Sequence, residues 1–181
     1  MNGFRNLAVA TGLAAAMALS PSLARAETTL KDATDAVARL KKVEPGLKRF
    51  FDKSAGYAVF PDVAKGGLIV GGAGGAGYVF EKGKAVGKTS LSQATIGAQI
   101  GGQAYIEIIF FETADALEAF KKGEWAMAAQ VSAVAVKAGA AKNASYDHGV
   151  AVFTLIKGGA MAEASVGGQK FSYEPLGAKK K

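Results

Sequence analysis

From Tyr57 onward the sequence reads as short apolar strands that follow one another through tight turns. Residues 57–60 form an apolar run stopped by Pro61-Asp62. Residues 66–70, 77–80 and 85–90 read as strands, with Glu81-Lys82-Gly83-Lys84 as a hairpin turn. A long run over 96–111 switches from Gly-rich to Ile/Phe-rich. Further strands are expected at 127–136, 150–156, 160–166 and 170–173, with Gly158-Gly159 as a tight turn. Consecutive strands with few helices between them pair antiparallel and exclude an alternating βαβ fold. Several are apolar on both faces, as in Val150-Ala151-Val152-Phe153, so the sheet must curl on itself or lie under helices. Glycine supplies 24 of 181 residues, many inside these strands, where it marks close backbone approach or sharp bends.

The segment before Tyr57 has helical spacing instead. Ala33, Ala36, Val37, Leu40, Val43, Leu47, Phe50 and Phe51 recur on one face over 28–53. Thr29 is placed to cap, with Asp32 three residues on. Pro45 splits the region in two, because proline suits a first helical turn and not an interior. The other face carries Lys31, Arg39, Lys41, Lys42, Lys48 and Arg49. A second helix is expected over 114–122, capped by Thr113, with Asp115 early, Lys121-Lys122 late, and Gly123 ending it. The expected fold is α+β. It is a curved, mostly antiparallel or barrel-like sheet with an N-terminal amphipathic helical region and one further helix.

Residues 1–26 read as a signal peptide. Arg5 supplies the positive n-region, 7–19 the apolar h-region, and Ala24-Arg25-Ala26 a small-x-small cleavage site. Cleavage after Ala26 removes Arg5 and Arg25 and lowers the net charge from +7 to +5. The expected organisation is a signal peptide at 1–26, one domain at 27–176 and a basic tail at 177–181, in a periplasmic protein. The sequence has no Cys and one His. Disulfides, thiolate chemistry, Cys-held clusters and a lipid attached at a cleavage-site Cys are excluded, and so is a multi-histidine metal site.

Few motifs carry chemistry, and no cofactor is expected. Gly72-Ala73-Gly74-Gly75-Ala76-Gly77 fits G-x-G-x-x-G, but a dinucleotide site needs a helix opening on the third glycine, and Tyr78-Val79-Phe80 is a strand. Ser145, Asp147 and His148 are the residue types of a hydrolase triad, yet they fall within four positions, whereas triad partners converge from separated segments. Glu107 is expected on the solvent side of a half-buried strand. Trp125 reads as an aromatic lid on the core. An outer-membrane barrel needs strands apolar outside and polar inside, which these are not. The basic helical face is the strongest functional signal: a cationic amphipathic helix can lie on an anionic membrane. Nucleic-acid binding fits less well, because the aromatics are not interleaved with the lysines.

Residues 54–72, SAGYAVFPDVAKGGLIVGG, resemble the opening signature of the SYLF domain, a lipid-binding module. The block 94–103, the apolar run to Phe111, the helix over 113–120 and Gly123-Glu124-Trp125 agree with it, so the resemblance covers about residues 30–176. It implies binding to membrane phospholipid through the basic N-terminal part of the domain. The matching positions are Lys41, Lys42, Lys48, Arg49, Phe50 and Phe51, the two phenylalanines as a membrane wedge. Some eukaryotic members bind phosphoinositides or actin. For an exported chain the implied ligand is another anionic lipid, such as phosphatidylglycerol or cardiolipin, and no actin partner is expected. The other readings are a soluble periplasmic carrier or structural protein holding a hydrophobic ligand in the curved sheet, and a hydrolase centred on His148.

Overall fold

The computed structural model describes residues 27–67, 70–96, 101–123, 132–159 and 168–177. The expected signal peptide, Trp125, the strand at 160–166 and Lys179–Lys181 lie outside them. The helical region forms as its spacing requires. Helix α1 spans Leu30–Val43, a 3-10 turn follows at Pro45–Leu47, and α2 spans Lys48–Lys53. Thr29 caps α1 in a reciprocal box. Its Oγ1 accepts from the Asp32 N–H at 3.2 Å, and Asp32 Oδ2 accepts from the Thr29 N–H at 2.8 Å. Helix α3 spans Ala114–Lys121, and the Ala116 N–H donates to Thr113 Oγ1 at 3.2 Å.

Among the described residues seven strands form one sheet: β1 Gly56–Gly67, β2 Val70–Glu81, β3 Lys84–Ile96, β4 Gly101–Phe111, β5 Ala133–Ala135, β6 Val150–Gly159 and β7 Gln169–Pro175. Their order is β5-β6-β4-β1-β2-β3-β7. Every described pairing is antiparallel except β5 with β6. The β2–β3 hairpin turns at Lys82-Gly83, with φ of 49° and 77°, the two left-handed residues of a tight turn matched to strand twist.

Three local expectations change. Pro61 does not stop β1. It sits where the register shifts, between Phe60 and Val63 against β4, so its missing N–H falls at a bulge. The glycine cluster, which lay between the strands expected at 66–70 and 77–80, is itself the body of β2, laddered to β1 and β3. Gly77 shows why: a Cβ there would stand 2.2 Å from the Val59 carbonyl oxygen. Gly158 and Gly159 continue β6, opposite Ala104 and Gln103, rather than turning.

Among the described residues the sheet is not closed, which corrects the barrel alternative, and β5 and β7 are its edges. It is nevertheless strongly curled. Gln169 on β7 touches Glu107 on β4 although β1, β2 and β3 lie between them in the sheet. Both faces are therefore covered. On one, α1, the 3-10 turn and α2 lay Ala33, Leu40, Leu47 and Phe50 on Val59, Ile108, Phe110 and Phe153. The concave face holds Phe60, Leu91, Ile109 and Phe111, with Leu117 and Phe120 of α3. The rings of Phe120 and Phe171 stand 5.1 Å apart there, and those of Phe60 and Phe171 5.8 Å.

Candidate functional site

The amphipathic helices set the first candidate surface. Arg39, Lys41, Lys42, Lys48, Arg49 and Lys53 are exposed, against one exposed acid in the same stretch, Asp52; Glu44 is buried. The 3.6-residue repeat turns the apolar stripe inward and leaves the cations outside. At its other end α1 is acidic. Asp32 and Asp35 join Glu27, Asp62, Arg39 and Lys157 around a cleft of about 390 Å³.

The six residues expected to bind lipid separate by role. Phe50 is only 3% exposed and packs on Phe110 at 5.5 Å and Phe153 at 4.9 Å. It is a core residue and no wedge, because the stripe that repeats at helical spacing is the stripe the sheet covers. Phe51 is half-buried, edge-on to Phe110 at 4.8 Å and Tyr57 at 5.1 Å. Lys41 Nζ stands 4.2 Å above the Phe51 ring. Lys48 pairs with Asp52 at 2.5 Å, one turn on. Arg49 Nη2 donates to the carbonyls of Ala141, at 2.6 Å, and Ala144, which fastens α2 to the segment before β6. Lys42 is exposed.

The second candidate lies inside the curl and was not expected. Glu107 is not solvent-facing; it is fully buried on the concave face. Burial pushes its carboxyl up to about 8, and the Gln169 Nε2–H donated to its Oε2 at 3.0 Å opposes that rise only in part. Glu107 Oε1, Gln169 Oε1 and the Tyr105 hydroxyl are buried with no hydrogen-bond partner among the described residues. Cross-strand register places Gln103 opposite Lys65, Lys65 opposite Ala73, Ala73 opposite Gln93, and Gln93 opposite Gln169. A polar belt thus runs across five strands, all of its side chains except Ala73 being polar and buried. The alternation Gln103-x-Tyr105-x-Glu107, at the two-residue period of a strand, was the available signal. A protonated Glu107 has a donor for Gln169 Oε1, and the two side chains then bond reciprocally.

The hydrolase residues do not converge. His148 occupies a hairpin turn with φ of 50°, its side chain two-thirds exposed and its Nδ1 2.7 Å from Asp147 Oδ1. Asp147 and Val150 exchange backbone hydrogen bonds around it. Ser145 instead faces a separate pocket with Arg49 and Tyr146. Among the described residues no three His, Asp or Glu side chains are grouped to hold a metal ion. No described helix is long and apolar enough to cross a membrane.

Residues 92–175 match the family model Ysc84, described as "Las17-binding protein actin regulator". The chain is 33% identical over 142 residues to "Beta cell expansion factor A" of Aeromonas veronii. That match covers 77% of this chain and 53% of the relative, so the chain spans about half the relative's length. Neither description is that of an enzyme. The matched segment runs from β3 through β7 and carries Glu107 and Gln169. Over residues 92–175 the chain is similar to the Ysc84, or SYLF, family.

Proposed function

We propose that this protein is a non-catalytic membrane-docking module of the periplasm that adsorbs on anionic phospholipid through the outer face of α1 and α2. The observation that carries the reading is the charge of that face: six exposed cations, Arg39, Lys41, Lys42, Lys48, Arg49 and Lys53, with Asp52 as the one exposed acid among residues 39–53. Each Lys or Arg near an anionic surface contributes about 1 kcal/mol, and the attraction falls off within a Debye length. With Phe50 in the core and Phe51 half-covered, docking is electrostatic and needs no side-chain insertion. The ligands in this compartment are phosphatidylglycerol and cardiolipin. Las17 binding and actin regulation belong to the family's description. An exported protein has no access to its own cell's actin, and we assign neither role here. The carrier reading gains no support where Phe60, Phe120 and Phe171 fill the concave face.

Vesicle sedimentation tests the reading. The chain lacking residues 1–26 should pellet with phosphatidylglycerol or cardiolipin vesicles at low salt and release as salt rises. Joint Lys41→Glu, Lys42→Glu and Lys48→Glu changes should abolish pelleting. Arg49 is left intact, because its guanidinium holds the fold. No pelleting of the unaltered protein at low salt would sink the proposal. Mass spectrometry of protein recovered from the periplasm should give a chain beginning at Glu27.

A further inference from the structure

A pocket of about 340 Å³ opens beside α2, lined by Arg49, Phe50, Lys53, Glu112, Ala144, Ser145 and Tyr146. Three elements build it. Arg49 and Lys53 lie one helical turn apart on α2. Glu112 follows the end of β4, and its backbone N–H donates to the Gly149 carbonyl at 2.9 Å, so its position does not depend on its side chain. Ser145 and Tyr146 lead into the turn before β6. The Arg49 guanidinium is fixed by the carbonyls of Ala141 and Ala144 and lies 4.6 Å from the Phe50 ring. The Phe50 and Tyr146 rings meet edge-on at 5.4 Å and form an aromatic floor.

The pocket carries both signs of charge around one unsatisfied group. The Tyr146 hydroxyl is buried and has no hydrogen-bond partner among the described residues. A buried orphan of this kind destabilises the fold, and a ligand atom that bonds to it would recover that loss. Burial raises the phenol's pKa, Glu112 raises it further and Arg49 lowers it, so the hydroxyl lies within the fields of both. Arg49 and Lys53 suit a phosphate, with the Ser145 and Tyr146 hydroxyls as further partners. The Glu112 carboxylate would weaken a purely anionic ligand. Beside two aromatic rings it suits an ammonium group instead.

We infer that this pocket binds a phosphate ester bearing an ammonium group, the zwitterionic headgroup of an aminophospholipid or the same ester free in solution. Arg49, Lys53, Ser145 and Tyr146 hold the phosphate, and Glu112 holds the ammonium. For the lipid source the inference rests on the membrane-docking reading and adds headgroup selection to it. The pocket itself is testable without a membrane.

The test is an amide NMR titration of the chain lacking residues 1–26, with phosphoethanolamine and with glycerol 3-phosphate. Saturable shifts at Lys53, Ser145 and Tyr146 are expected. Phosphoethanolamine should bind about threefold tighter, the effect of one partly exposed ion pair. Glu112→Gln should erase that preference, and Tyr146→Phe, which keeps the ring, should weaken both ligands. Absence of saturable shifts, or a preference unchanged in Glu112→Gln, overturns the inference. A second arm compares phosphatidylglycerol vesicles with and without phosphatidylethanolamine. A gain on mixed vesicles that Glu112→Gln removes assigns the site to the lipid headgroup. Binding of the free ester without that gain assigns it to the soluble ester. Failure to bind either vesicle overturns the docking reading, while the titration still decides the pocket.

Discussion

Glu107 shows what a strand pattern conveys at the scale of one residue and what it withholds. The run Tyr105-Ile106-Glu107-Ile108-Ile109 alternates, so Glu107 must face away from Ile106 and Ile108. Whether that other face meets water depends on the curl, which brings β7 and α3 over it. A reader of the sequence sees the alternation and not the cover. The consequence is a pH dependence of definite sign. Burial raises the folded-state pKa from the ordinary 4.5 to about 8, so between these values the folded protein binds more proton than the unfolded chain. Stability is therefore full below about 4.5, falls as pH rises through that window, and levels off above 8. We expect the thermal midpoint of the wild type to drop from pH 5 to pH 8 relative to Glu107→Gln, which cannot ionise. Parallel midpoints for the two proteins across that range would show that Glu107 is not the titrating group.

Among single elements, the helices were the most legible and β2 the least. Thr29, Asp32 and Pro45 act through neighbours three or four residues away, so α1, its cap and the break before α2 follow from local chemistry. The glycines of β2 act through another strand. Gly77 must lack a side chain because the Val59 carbonyl stands where its Cβ would be, and nothing near Gly77 in sequence announces that. Gly77→Ala should destabilise the protein by about 1–3 kcal/mol, as overpacking does. Gly74→Ala is the matched control, with the nearest atom an ordinary 3.6 Å from the added carbon. Equal denaturant midpoints for the two variants would contradict the packing argument. Arg49 had the opposite history. Its sequence position marked it as a lipid contact, yet two carbonyls more than ninety residues away hold it. Losing these charge-assisted bonds in Arg49→Ala should cost about 1–3 kcal/mol, and Arg49→Lys should recover little, because a single ammonium cannot reproduce the fork. Urea denaturation of the three proteins distinguishes this from a purely surface role, which would leave stability unchanged.

For the whole molecule, the antiparallel ladder was legible in the sequence and the degree of curl was not. Strand number and short turns limit the pairing, but an open sheet of seven strands could have been nearly flat. The curl is fixed by contacts that reach beyond neighbouring strands: Gln169 reaches Glu107, and Phe171 reaches Phe60 and, on α3, Phe120. Within the β3–β7 pair, Tyr173 fills the space left by Gly87, whose Cβ would stand 2.1 Å from that ring. Strand β7 is an edge, laddered only to β3 among the described residues, so its hold on the concave face depends on these side chains. Gln169→Leu keeps the volume approximately and removes the hydrogen bond that links β7 to β4 across the curl, leaving Glu107 buried without its donor. Native-state hydrogen exchange should then show β7 amides losing protection, by about 1–3 kcal/mol of opening free energy, while β1 and β4 amides follow only the global change. If β7 stays as protected as β1, the ladder to β3 and the ring contacts of Phe171 hold the curl without the Glu107–Gln169 link. The polar belt would then be an internal feature that the fold carries and does not require.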